Sequence, residues 1–288
     1  MDEFTAVQRA RRLVSEVAPG AIPTPVEAYV EHVGAKLRVE DLPANESGYT
    51  MELRGKHHIA VNGNDRSERQ RFTACHELGH IVLDLPSEHG ETPWWSYERR
   101  PENEKLCDVF AAELLLPHTL FRPEANGCDP GFTSIESLAA RFDASLTATG
   151  SRFAAVASLP CAFVLAERGR IRYASRSATL RAAGAWIAPR SPLPGESIAA
   201  HVREVGADTD TSEIEADHWF SDWTAGGIVL EEARHLPQWD QTLTLLWLDD
   251  VEELESAPMR HQEQSEAEDS ALSELDGHLP WPSNKRRR

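Results

Sequence analysis

At 288 residues, 41% of them hydrophobic, the chain is long enough for a catalytic core and at least one further domain. Its formal net charge of −18 argues against a protein that wraps a nucleic-acid backbone, which needs a basic surface. No apolar run reaches the roughly 18–20 residues of a membrane helix, and Met1-Asp-Glu-Phe-Thr5 lacks the charged-then-apolar order of a signal peptide.

The first pattern with chemical content is a hairpin. Gly48-Tyr-Thr-Met-Glu-Leu-Arg54 and Gly55-Lys-His-His-Ile-Ala-Val-Asn62 alternate in polarity and carry turn residues at their ends. His57 and His58 occupy successive strand positions and so point to opposite faces, which prevents both from holding one ion. Asp65 or Ser67 is placed to cap the helix that follows.

That helix carries Phe72-Thr-Ala-Cys-His76-Glu77-Leu-Gly-His80-Ile-Val-Leu83, with His-Glu-x-x-His inside an apolar run. Positions i and i+4 share a helical face, so His76 and His80 can aim at one point. Two imidazoles and a carboxylate around zinc leave a fourth position for water. Glu77 sits beside the metal, where it can take a proton from that water. The neighbours Ala74, Cys75, Leu78, Ile81, Val82 and Leu83 predict a buried helix, and buried imidazoles need partners.

A second helix is predicted from Glu104-Lys-Leu-Cys107-Asp108-Val-Phe-Ala-Ala-Glu113, ended by Pro117. Glu104 and Asp108 share a face, which suits Glu104 as third ligand and Asp108 as acceptor for the far nitrogen of a ligating His. Glu102 and Glu113 compete for the ligand role. Glu113 points roughly opposite to Glu104 and is expected to be solvated or paired. Tyr49 and His118 are candidates for stabilising an oxyanion.

These two segments resemble the ImmA/IrrE family of metallo-endopeptidases. The zinc helix of that family reads His-Glu-Leu-Gly-His, as residues 76–80 do. Its next helix is similar to Glu104-x-x-Cys107-Asp108-x-Phe110-Ala-Ala-Glu113-Leu-Leu-x-Pro117, with Cys107 and Asp108 where the family often has Ala and Asn. The resemblance spans about residues 5–155 and implies a zincin-like core. It further implies a Zn2+-dependent endopeptidase that cuts a helix-turn-helix transcriptional repressor, and it associates the chain with stress response. In peptidases of this architecture the hairpin offers a sheet edge to an extended substrate. Two other functions fit the same residues: a non-catalytic, zinc-stabilised protein that sequesters a repressor, and a toxin–antitoxin component.

Thr133-Ser-Ile-Glu136 has the form of a capping box and opens a short helix, a turn and a second helix through Phe153. This helix-turn-helix-like unit could present Thr147, Thr149, Ser151 and Arg152 to DNA. The acidic chain favours a packing role, so direct DNA binding is not expected. Beyond about residue 158 the pattern turns to strands: Cys161–Ala166 and Arg170–Ala174 as a hairpin, Gly227–Ala233, and Gln241–Leu248, with an amphipathic helix at Ser197–Val205. Trp186, Trp219, Trp223, Trp239 and Trp247 gather in this region. They are expected to fill a small core, with a sensor-like ligand pocket as the alternative.

The expected fold class is α+β: a zincin-like peptidase domain (1–125), a helix-turn-helix-like unit (126–157), a C-terminal α+β domain (158–255) and an acidic disordered tail (256–288). Four cysteines, Cys75, Cys107, Cys128 and Cys161, show no paired metal spacing and are expected as reduced thiols in a cytoplasmic protein.

Overall fold

The computed structural model describes residues 1–86, 101–206, 209–221, 223 and 226–248; the acidic segment 256–288 lies outside them. Among the described residues, 1–121 with 139–148 pack as one unit, and 122–138 with those from 149 to 248 as another. Among the described residues no helix is long and apolar enough to cross a membrane.

The first unit begins with helix α1 (Glu3–Val17), started by Asp2, whose carboxylate accepts the Thr5 N–H at 2.9 Å. Ala6, Val7, Ala10, Leu13 and Val14 recur at helical spacing and form its buried stripe. Helix α2 (Val26–His32) leads into strand β1 (Lys36–Glu40), then β2 (Gly48–Leu53) and β3 (Lys56–Asn62). The sheet order is β1-β3-β2, with β1 parallel and β2 antiparallel to β3. The expected hairpin is therefore β2–β3. It closes through Arg54 and Gly55, both at positive φ (54° and 72°), the backbone of a two-residue turn that matches strand twist. The central strand is β3, and the open edge of the hairpin is β2.

Helix α3 (Ser67–Leu83) crosses this sheet, and helix α4 (Glu102–Leu115) packs along α3. The start of α3 differs from expectation. Arg66 is its N-cap, with no side-chain capping bond, so neither Asp65 nor Ser67 caps it. The preceding loop is organised instead by buried Asn62, whose amide donates to the carbonyls of Leu42, Pro43 and Glu46. Helix α5 (His118–Ala125) follows Pro117.

Helices α6 (Phe132–Phe142) and α7 (Leu146–Val156) lie where a short helix, a turn and a second helix are expected, and their residues are divided between the two units. Helix α6 begins at Phe132, so Thr133 lies inside it, and the capping box is not what starts it. The Phe132 N–H donates to Glu232 at 2.8 Å, and Glu136 is ion-paired with Arg234. Thr147, Thr149, Ser151 and Arg152 are all buried, so α7 holds none of its candidate base-reading groups on a surface.

The second unit is built on a five-stranded antiparallel sheet in the order β5-β4-β8-β7-β6. Its strands are β4 (Cys161–Glu167), β5 (Arg170–Arg176), β6 (Thr209–Glu215), β7 (Ile228–Leu236) and β8 (Gln241–Trp247). One face packs with helices α8 (Ala178–Ala182) and α9 (Ile198–Val205) around Ala162, Val164, Val229, Ala233 and Leu246. The alternate residue Phe163 points the other way, onto α7. A Cβ at Gly150 would stand 2.2 Å from its ring, so only glycine permits this approach. Of the five tryptophans only Trp219 is buried in the core; Trp186, Trp223, Trp239 and Trp247 are half-buried. Aliphatic residues fill most of that core, correcting the expectation that tryptophan would.

Candidate metal centre

The middle of helix α3 is covered on both sides. Every residue from Phe72 to His80 is buried, between the three-stranded sheet and α4. Gly79 sets the distance to α4. A Cβ there would lie 3.2 Å from Cys107 Cα and 3.3 Å from both Cys107 Cβ and the Phe110 ring. The missing side chain lets α4 approach closely enough for its carboxylates to reach the imidazoles of α3. Cys107 thus packs against Gly79, and the cluster able to hold an ion there consists of His76, His80 and Glu104.

Within that cluster His76 Nε2 and His80 Nε2 are 3.2 Å apart. Glu104 Oε2 is 3.1 Å from His76 Nε2, and Glu104 Oε1 is 3.5 Å from His80 Nε2. Ligands placed tetrahedrally around zinc at about 2.0–2.1 Å stand roughly 3.3–3.4 Å from one another. The three donors are therefore spaced as if around one small cation, and two imidazoles with one carboxylate are a donor set zinc accepts. All three are buried.

The far sides of both imidazoles are occupied by groups that can only accept. His76 Nδ1–H donates to Asp108 Oδ1 at 2.8 Å, and His80 Nδ1–H donates to the Leu85 carbonyl at 3.3 Å. Each ring thereby directs Nε2 toward the common point. Burial by itself pushes the His76 imidazolium down. The Asp108 charge and hydrogen bond, then Glu104 and Glu77, outweigh burial and raise the group to about 10. Burial likewise favours the neutral Glu104 carboxyl, and the two histidines reverse that and hold it well below the usual carboxylate range. With no ion bound, a proton on His76 serves the carboxylates, and a divalent cation would compete with that proton.

Glu77 follows His76 on α3 and is buried to 2% exposure. The Thr50 hydroxyl, on β2, donates to the Glu77 carbonyl at 3.2 Å and ties the edge strand to the helix beside the cluster. The competing acids fall elsewhere. Glu102 is exposed at the start of α4. Glu113 is buried rather than solvated, and Arg11 of α1 binds its carboxylate at 2.8 Å, with the His118 N–H on the same oxygen. The Tyr49 hydroxyl donates to Glu40 at 3.1 Å, which turns it toward β1. His57 and His58 are half-buried on β3. The roles of Leu85 and Thr50 were not anticipated. Leu85 acts through a backbone carbonyl that no residue pattern marks; Thr50 carried a signal only as a polar residue on an inward-facing strand position. A second group of possible ligands, Glu215, Asp217 and His218, lies on the surface.

Residues 30–154 match the peptidase M78 family model, described as the IrrE N-terminal-like domain. Among curated proteins, the chain is similar to the radiation response metalloprotease IrrE of Deinococcus deserti, 39% identical over 98 residues, covering 32% of this chain and 34% of that protein. It is also similar to the protein of the same description from Deinococcus radiodurans, 32% identical over 113 residues, covering 38% of this chain and 33% of that one. The alignments span about a third of the length of these curated relatives. Among solved structures, a Mycobacterium tuberculosis transcriptional regulator shares the fold with a TM-score of 0.57 at 14% identity, covering 85% of this chain and 76% of that one. The matched segment contains α3, α4 and the whole cluster between them, and over that segment the chain is similar to the IrrE N-terminal-like domain.

Proposed function

We propose that the chain is a zinc-dependent endopeptidase with a zincin-like core, acting in the cytoplasm on a helix-turn-helix transcriptional repressor. In this reading His76, His80 and Glu104 hold the metal, Glu77 is the general base and Asp108 orients His76. The observation that carries it is the buried triad itself: three donors 3.1–3.5 Å apart, with an acid beside them on the same helix. The description of the relatives as radiation response metalloproteases supports a stress-linked proteolytic role. The repressor as substrate rests on the family likeness. The free cysteines, three of them buried, agree with a reducing compartment.

Zinc, when bound, lowers the pKa of a coordinated water toward about 7 and polarises the scissile carbonyl. Glu77 accepts the proton of the attacking water and passes it to the leaving amine. Asp108, by accepting the hydrogen bond of His76 Nδ1–H, keeps the Nε2 lone pair aimed inward. Strand β2 offers an edge to which an extended peptide adds as a further strand. Thr50 holds that edge in register with Glu77.

Glu77→Gln tests the assignment. The substitution is nearly isosteric and should leave zinc content unchanged, while cleavage of a candidate repressor falls by about 10²–10⁴. Undiminished cleavage would remove Glu77 as the base, and loss of zinc would make it a ligand. A wild-type protein that binds the repressor and never cuts it would favour sequestration.

A further inference from the structure

The two imidazoles of the cluster are oriented by different means, and the Nδ1 of His80 is met by the end of its own helix. Pro86 disfavours helical backbone at Leu85, so α3 must stop there. It stops through Asp84, which adopts the left-handed conformation with φ 56° and ψ 49°, a region asparagine and aspartate tolerate better than other non-glycine residues. The Leu85 N–H then returns to the His80 carbonyl at 3.0 Å, the closing bond of a left-handed helix terminus. In the same turn the Leu85 carbonyl receives His80 Nδ1–H at 3.3 Å. Residue 85 thus grips residue 80 twice, by its donor and by its acceptor. Arg9 of α1 steadies the same helix end by donating to the Val82 carbonyl at 2.7 Å.

We infer that Asp84-Leu85-Pro86 is a positioning element for the metal centre: its left-handed turn fixes the tautomer and ring angle of His80, as the Asp108 side chain does for His76. The inference rests on the metal-centre reading. The side chain of residue 85 has no part in it, whereas the backbone conformation of residue 84 decides it. Asp84 is exposed, so substitution there disturbs no core.

Two variants and one spectrum test this. Asp84→Gly keeps the left-handed turn at no steric cost. Asp84→Val places a β-branched residue where it is strained. Zinc affinity, measured by chelator competition on the full chain, should be unchanged in the glycine variant and about 10–100-fold weaker in the valine variant, the size expected for losing an outer partner of a ligating histidine. Long-range proton–nitrogen NMR of the wild-type metal-free protein should place the His80 proton on Nδ1. A His80 ring with no proton on Nδ1 would overturn the inference, as would wild-type zinc affinity in Asp84→Val. If the valine variant does not fold, the wild-type spectrum and the glycine variant still decide. A wild-type chain that binds no zinc at all would instead sink the metal-centre reading, which separates the two failures.

Discussion

Both units bury a carboxylate deep beside a helix, and the two carboxylates are treated in opposite ways. In the second unit Glu231, wholly buried on β7, accepts the Trp219 indole N–H at 2.7 Å and the backbone N–H of Ile198 at the start of α9. Burial outweighs those two donors and pushes its carboxyl up. In the first unit Glu104 meets the same burial penalty, yet the imidazoles facing it pull its carboxyl down. Neutral donors satisfy Glu231 geometrically without calling for a cation. Glu104, by contrast, shares a point in space with two nitrogens 3.2 Å apart. The first arrangement holds a helix on a sheet; the second gathers donors spaced so that they could hold an ion between helices.

The sharpest way to break this contrast is to remove each group in turn. Glu104→Ala should weaken zinc binding by well over the roughly 10–100-fold expected for Asp108→Ala, because it removes a ligand where Asp108→Ala removes only the orientation of one. Glu102→Ala should leave affinity unchanged. Calorimetric titration with zinc ranks the three, and a loss in Glu102→Ala equal to that in Glu104→Ala would mean the helix phase is misassigned. Glu231→Leu should do the reverse. It strands the Trp219 and Ile198 donors, costing about 2–4 kcal/mol in urea unfolding, and leaves zinc stoichiometry intact.

The smallest effect concerns acidity in the second unit. His235, buried on β7 with Nδ1 3.1 Å from the Thr242 hydroxyl, is held below its ordinary 6.5, chiefly by burial. A lowered basic group contributes stability that is present above its unfolded value and lost as pH falls through the folded one. Acidification from about 6.5 downward should therefore destabilise this unit. His235→Gln should flatten that slope, and an identical pH profile in the variant would rule His235 out as its source.

Much of this was legible in the residues. The spacing of His76, His80, Glu104 and Asp108 placed both helices of the cluster, and Arg54-Gly55 and Arg168-Gly169 marked both hairpins. What escaped notice depends on distant parts of the chain. Strand β1 carries Lys36, Arg38 and Glu40 and is half exposed, so only its parallel pairing with β3 makes it a strand. Strand β6 is similarly polar, Thr-Asp-Thr-Ser-Glu-Ile-Glu, and its strand pairing comes from β7. The capping box at Thr133 had the correct local form, but Glu232, far along the chain, supplies the acceptor that starts α6. Local patterns record local energetics; caps and edge strands borrow theirs from partners remote in sequence.

An open strand edge cannot choose which extended chain it welcomes. Strand β2 shows Met51 and Leu53 to solvent, each about half exposed, and is an edge of its sheet among the described residues. Such an edge is also a template for unfolded copies of the same protein. The charges of Glu52 within the strand, and of Arg54 and Lys56 at its turn, act as gatekeepers against self-templating. The same few residues thus set a limit on colloidal stability: a hairpin made more apolar to grip peptides more firmly would begin to precipitate with itself.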